Sequence, residues 1–515
     1  MRSNVIEFAR QVDPHSTIPA FFAGKNVFIT GGSGFMGKVL IEKLLRACPE
    51  IGNVYILLRE KYQQSLQERV KNITENILFD KLRQENPAAL AKIVPIRGDV
   101  RELRLGISEE DRKTLIEEVS IVYHVAATVR FDETLADSIL MNTRGTREVC
   151  SLVLELKNAT AFLHVSTAYC QHDKKIVEEK LYPPRNDWRK MIKMVEETDQ
   201  YHMKVLSHKI MDGYPNTYTY SKALAENVIV DMLQGKVPTI IMRPTIVVST
   251  YKDPMAGWND NMNGPVGLVA ASGKGILRSI FASRESILDF NPVDVAINFI
   301  LKATWLHQFL HQDHIAVYNC SSEGIVQIHV TTLQEIGYHV QEQVTVKPIW
   351  YPCFETTDNK FNHMIKIYLY HLLPAIIIDL ILKCFKKPPR LFKIQRKIYL
   401  ALGCLEYFMR HRWVFKNDKL LEMDDYLHES DQENFYVDMR AIDVMEFFLT
   451  SAKIGVPLIM KEDLSNSKQN YRTMKRMGYV HNGLKFIFSI LLLIFTLNNF
   501  LIPGWNSFID YLISL

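Results

Sequence analysis

The stretch NVFITGGSGFMGKVLIEKLL, from Asn26 to Leu45, constrains the fold more than any other part of the chain. A short β-branched run leads into glycines packed around a serine, and an apolar pattern at helical spacing follows. Gly31, Gly34 and Gly37 form G-x-x-G-x-x-G. A tight strand-to-helix turn needs residues without a Cβ, and a pyrophosphate laid on it meets the backbone N–H groups of the helix N-terminus. The alternation continues. NVYILL, KIVPIRGDV, SIVYHVAA, TAFLHVST and PTIIMRPTIV read as strands, while GKVLIEKLLRAC, NTRGTREVCSLVLELK and SKALAENVIVDML carry apolar residues at i, i+3 and i+4. From Lys25 to about Ile300 the expectation is therefore an α/β fold: a Rossmann-type doubly wound parallel sheet with helices on both faces, and the glycine turn as its dinucleotide site.

A chain of 515 residues holds two or three such units, and 47% hydrophobic with 23% charged residues describes a globular protein. The net charge of +4 comes without a Lys/Arg block, so no nucleic-acid partner is expected. Seven scattered cysteines with no C-x-x-C spacing suit a reducing compartment and offer no metal site. Ser249 to Asp289 is loose and rich in Gly, Asn and Pro, which suits a substrate lobe. Beyond Gln343 the pattern turns helical and amphipathic, as in FKIQRKIYLALGCLEYFMRHRWVF. The domain expectation is an N-terminal extension (1–23), a dinucleotide-binding reductase unit with its substrate lobe (24–343), a helical unit (344–466) and a basic flank with a transmembrane tail (467–515).

That tail, LKFIFSILLLIFTLNNFLI, is roughly 28 Å long as a helix, against a hydrocarbon core of about 30 Å. Lys468, Arg472, Lys475, Arg476 and Lys485 flank its start and Trp505 follows its end, which by the positive-inside rule leaves the bulk of the chain in the cytosol. The competing reading is a buried core helix. A second apolar stretch, Ile365 to Cys384, contains Pro374 and Asp379, which suits a kinked helix on or dipping into a bilayer, or a buried helix. The N-terminal residues carry no apolar run long enough for a secretory signal.

The second strand ends on Arg59, followed by Glu60 and Lys61, where an NAD site usually places an acid for the ribose; a guanidinium there favours a 2′-phosphate and hence NADPH. Asp99 in RGDV is placed to accept from the adenine amino group or to cap a strand-end turn. Tyr-x-x-x-Lys occurs twice. Tyr471 and Lys475 lie in the basic flank, far from any strand, whereas Tyr218 and Lys222 open an amphipathic helix inside the dinucleotide unit, one turn apart on one face. There the ammonium depresses the phenol pKa and reaches the nicotinamide ribose, and Ser166 and Thr167 at the end of AFLHVST supply a nearby hydroxyl.

TGGSGFMG, RGDV, HVAATVRFD, NTRGT, HVSTAY, YTYSK and RPTIV, in that order, resemble the extended short-chain dehydrogenase/reductases. KVLIEKLLR, EEKLYPP, PNTYTYSKALAE, GPVG and NPVDVAIN narrow the resemblance to the fatty acyl-CoA reductases, whose "sterile" domain the helical C-terminal part resembles. Asn291 in NPVD and Met445 in VMEFF depart from that pattern. The resemblance implies catalytic roles for Thr167, Tyr218 and Lys222, with Asn142 supporting the lysine through water. It implies cofactor contacts from Gly31, Ser33, Gly34, Phe35, Met36, Gly37, Arg59, Asp99, Val100, Ala127, Thr128, Pro244 and Thr245, besides Tyr218 and Lys222. It implies an NADPH-dependent, two-step reduction of long-chain fatty acyl-CoA to a primary alcohol through an aldehyde, on a lipid bilayer, with the catalytic part facing the cytosol. Endoplasmic reticulum, peroxisome and lipid droplet all satisfy that reading. The rival readings are a membrane-bound hydroxysteroid dehydrogenase and a non-catalytic NADPH-binding scaffold.

Overall fold

In the computed structural model residues 17–60, 64–262, 265–309 and 314–514 are described; the readings that fall on residues 1–16, Lys61 and Gly264 lie outside them. Among the described residues seven strands make the main sheet: β1 (Asn26–Thr30), β2 (Val54–Leu58), β3 (Ile93–Arg97), β4 (Val119–His124), β5 (Ala161–Val165), β6 (Thr239–Pro244) and β7 (Ala316–Cys320). Their order is β7-β6-β5-β4-β1-β2-β3 and every pairing is parallel. The strands are apolar on both faces because both faces are covered. Val27 and Ile29 of β1 point to one core, under helices α1 (Phe35–Ala47) and α4 (Val293–His307). Phe28 points to the other, under α2 (Gly145–Glu155) and α3 (Thr217–Leu233). The strand order reverses between β1 and β4, and a crevice opens beyond the carboxyl ends of such strands.

The C-terminal part does not stand apart from this sheet. Val414–Phe415 pairs in parallel with Ile176–Val177. Leu420, Phe435, Val437 and Met439 are buried in the same core as Phe22, Val27 and Trp305. The Ile18 N–H donates to Asp431 at 2.7 Å, so the chain before β1 is also tied to this returning segment.

Three further helices follow the sheet: α5 (Leu373–Cys384), α6 (Leu391–Arg410) and α7 (Ser467–Thr496). The acid inside the second apolar stretch has a specific partner. Asp379 on α5 accepts from the backbone N–H groups of Arg390, Leu391 and Phe392 at 3.0, 3.0 and 2.9 Å. It therefore satisfies donors at the start of α6 that no helical carbonyl can reach, and folds α5 and α6 into a hairpin. A π-helical turn, Ile367–Leu372, precedes Pro374. Two helical spans, Lys360–Cys384 and Leu464–Asn499, are long and apolar enough to cross a membrane. Their apolar side chains face outward: Ile377, Leu380 and Ile381 on α5, and Phe486, Phe488, Leu491 and Phe495 on α7 are exposed, unlike those of a core helix.

Candidate active site

The turn between β1 and α1 is built for close backbone approach. Gly31 has φ +80, and a Cβ there would stand 2.6 Å from the Ala126 nitrogen; a Cβ on Gly37 would stand 2.2 Å from the Gly31 oxygen. Gly34 caps α1 without a side-chain hydrogen bond, so the first N–H groups of the helix are left for a ligand. Ser33 is exposed on the turn, Met36 is half-buried against the core, and Phe35 stacks on Trp258 at 5.5 Å. These residues fit a dinucleotide pyrophosphate.

At the end of β2, Arg59 lies 3.9 Å from Asp99, while Glu60 is drawn away to Arg97 at 2.9 Å. Asp99 also accepts from the Arg101 N–H at 3.0 Å, the strand-end turn role. Arg69 was not anticipated. Its guanidinium donates to the Arg59 carbonyl and reaches the Ser33 hydroxyl at 3.5 Å, and burial together with Arg59 lowers its pKa. Its signal in the sequence, an arginine ten residues past Arg59, becomes visible only once the intervening chain folds back. Val100 is buried, with its carbonyl 2.9 Å from where a Gly145 Cβ would stand.

Beyond the ends of β5 and β6 the hydroxyls sort themselves. Ser166 donates to Glu226 at 2.6 Å and is spent. Thr167 accepts the Tyr169 N–H at 3.3 Å, and its hydroxyl stands on the side of the Tyr218 phenol. Burial raises the Tyr218 pKa against the Thr167 hydroxyl, and the lowering expected from the Lys222 ammonium is not seen, because that group is turned to the Val165 carbonyl. Lys222 is buried, with Nζ donating to the Val165 carbonyl at 2.6 Å. Burial pulls its pKa down to about 7, against the attraction of Glu226. Beneath it lie two buried imidazoles: His124, between Thr30 at 2.7 Å and Thr146 at 3.0 Å, and His164, with ring centroids 5.0 Å apart. Burial and the lysine charge push His124 down to about 3, so it stays neutral.

Glu226, one turn beyond Lys222 on α3, is gripped by Arg243 of β6 through two hydrogen bonds of 2.8 and 2.7 Å. Burial acts against it, but the guanidinium holds this carboxyl below its ordinary range. The pair anchors α3 to the sheet behind Tyr218 and Lys222. Asn142 sits in a π-helical turn, Ile139–Arg144. Its amide accepts the Thr128 N–H at 2.9 Å and donates to the Thr128 carbonyl and to Ser221 at 3.2 and 2.9 Å. Its side chain thus ties the loop after β4, where Ala127 is half-buried, to the residue before Lys222. Pro244 ends β6, and Thr245 donates to the buried Asp289 at 2.8 Å. The structure brings Thr167, Tyr218 and Lys222 together at one strand end.

Family models described as male sterility protein match residues 29–300, as an NAD-binding unit, and 370–461. Fatty acyl-CoA reductase 1 of Homo sapiens is 36% identical over 480 residues, covering 92% of each chain. The chain belongs to the fatty acyl-CoA reductase family. Its members include the Xenopus laevis fatty acyl-CoA reductase 1, 37% identical over 92% of each chain, and the Drosophila melanogaster fatty acyl-CoA reductase wat, 35% identical over 91% of each. The fold of this family member is shared with the terminal R domain of a myxalamid biosynthetic pathway, at a TM-score of 0.57, 19% identity and coverage of 88% of this chain and 97% of that one. A reductase domain of a non-ribosomal peptide synthetase from Mycobacterium tuberculosis matches at 0.55, 16% identity, 89% and 96%.

The match over residues 29–300 makes this reductase a nicotinamide-cofactor enzyme, and the glycine turn lies at the start of that unit. Its site also has a wall that sequence patterns do not reveal. Phe131, after β4, lies 5.8 Å from the Tyr218 ring and stacks at 5.5 Å on Phe408, at the end of α6. Tyr169 meets Phe408, Trp413 and Phe415 edge-on at 5.3, 5.5 and 5.2 Å. The C-terminal part therefore contributes apolar surface beside Tyr218. Aromatics nearly three hundred positions apart offer no periodic signal. The two departures from the family pattern are accommodated locally: Asn291 is buried and donates to Cys320 at 2.7 Å, and Met445 packs on the cluster around Ile336 and Leu449.

Proposed function

We propose that the chain is an NADPH-dependent, alcohol-forming fatty acyl-CoA reductase that works on a membrane surface. The observation that carries this reading is the Thr167–Tyr218 hydroxyl pair at the end of β5 beside the buried Lys222. Bound NADPH supplies hydride to the thioester carbonyl carbon and, from a second molecule, to the aldehyde carbon. The Thr167 and Tyr218 hydroxyls donate to the carbonyl oxygen as it gains charge. Breaking the carbon–sulfur bond of the hemithioacetal releases coenzyme A and leaves the aldehyde. In the second round Tyr218 gives its proton to the alkoxide, and Lys222, near neutrality in its proton affinity, restores it. Glu226 and Arg243 hold α3 in register for both steps. The aromatic wall from Phe131 to Phe408 suits the apolar chain of the substrate.

NADPH is preferred to NADH in this reading because Arg69 reaches Ser33 and bonds the Arg59 carbonyl, gathering two guanidinium groups there, while Glu60 is engaged by Arg97. Residues 24–343 form the reductase unit with its lobe, 344–466 the sterile-type unit, and 467–515 the flank and tail that anchor it with the catalytic part in the cytosol. Incubation with acyl-CoAs of graded length should consume about two NADPH per alcohol, as this balance requires. In the same assay Arg69→Ala should narrow the preference for NADPH over NADH. Absence of alcohol at every chain length would overturn the proposal.

A further inference from the structure

A cleft of about 210 Å³ lies away from the catalytic cluster, where the substrate lobe meets both apolar spans. Arg278 lines it from the lobe, Lys366 from the span that begins at Lys360, and Lys485 from α7, with Tyr370 and Glu355 between them. Glu355 is engaged by Lys366 at 2.6 Å. Arg278 and Lys485 have no carboxylate partner among the described residues. Arg278 is half-buried. Its Nε donates to the Gly275 carbonyl at 3.1 Å and its guanidinium packs against Trp350 at 5.9 Å, which aims a fixed cation into the cleft. Burial lowers its pKa, the mark of a cation short of a counter-charge.

The cleft's position restricts what can fill that deficit. Lys485 immediately precedes the exposed apolar run Phe486–Phe495, and the exposed face of the other span begins at Phe361 and continues through Ile365 and Tyr368, either side of Lys366. The cations therefore stand near the start of two outward-facing apolar surfaces. A guanidinium fork beside an ammonium without a carboxylate partner recognises phosphate oxygens well. We propose that this cleft binds the phosphoryl group of an amphiphile whose apolar tail lies along the two spans. A phospholipid headgroup and the phosphates of an acyl-CoA share that chemistry. The second source rests on the proposed function; the first does not.

The test is a binding titration of the full chain in uncharged detergent with dioctanoyl phosphatidic acid, with coenzyme A, and with dioctanoylglycerol as the phosphate-free control. Wild type is compared with Arg278→Gln and with Lys485→Gln, the second at an exposed position where folding is not at stake. At least one phosphate probe should bind wild type about tenfold tighter than either variant, the scale of one charge-assisted contact. An effect confined to phosphatidic acid assigns the site to a headgroup, and one confined to coenzyme A assigns it to the carrier. Equal binding of both probes to wild type and both variants would overturn the proposal, as would dioctanoylglycerol binding wild type as tightly as the phosphate probes. Binding is read without turnover, so a failure to form alcohol would leave this result standing.

Discussion

Lys222 is a cation held where cations are costly, and its stability effect has a defined sign. Its pKa is about 7 in the folded chain and about 10.4 when unfolded. Between those values the unfolded chain holds a proton that the folded chain has released, so stability rises with pH across that window and is flat in this respect below it. The melting temperature of the cofactor-free wild type, relative to Lys222→Met, should climb from about pH 7 toward about pH 10. A difference constant over that range would show that the ammonium is not desolvated. At this scale much was legible. Tyr218 and Lys222 stood out because their spacing fits one helical face opening next to a strand. Arg243 and Glu226 did not, since nothing local distinguishes a buried ion pair from two surface charges. The choice of Thr167 over Ser166 became a physical one only when Ser166 was seen bonded to Glu226.

Among the elements, the turn into α1 tolerates little. A Cβ at position 37 would stand 2.2 Å from the Gly31 oxygen and 2.7 Å from the Gly32 Cα, both backbone atoms that cannot step aside. Gly37→Ala should move the start of α1 and weaken NADPH binding, read by nucleotide fluorescence, by about tenfold or more, or about 1.4 kcal/mol. Unchanged affinity would mean that the dinucleotide does not rest on this turn. Five of the six strands from Asn26 to Pro244 were readable because burial on both faces leaves uninterrupted apolar runs; β3, at the sheet edge, keeps a shorter one and exposes Arg97. β7 was not readable. Its Asn319 is a buried amide donating to the Val177 and Lys416 carbonyls at 3.0 and 2.8 Å, so the edge of the sheet is finished by side-chain bonding and its sequence, AVYNC, is partly polar. The role of Asp379 is hidden in the same way: an acid amid apolar residues suits a kinked helix on or dipping into a bilayer, or a buried one, and only the folded chain shows it capping α6.

For the molecule as a whole, the returning C-terminal segment joins two regions that composition separates. Pairwise aromatic contacts from Phe131 to Phe408, and the burial of Phe435 and Met439 in the sheet's core, couple the helical part to the catalytic crevice. The outward apolar faces of the two spans have a direct consequence. The full chain should stay with membranes through an alkaline carbonate wash, and a chain lacking residues 484–515 should be released by it, with any association left to the α5 face being peripheral. Equal retention would shift the anchor away from α7. The central claim concerns what Thr167, Tyr218 and Lys222 do together. Its most direct measurement is single-turnover reduction of an acyl-CoA and of the matching aldehyde by wild type and Tyr218→Phe, with NADPH binding measured on both. The account predicts intact nucleotide binding and a loss of about 10² to 10⁴ in the aldehyde step for the variant. Aldehyde reduction at the wild-type rate by Tyr218→Phe would contradict it.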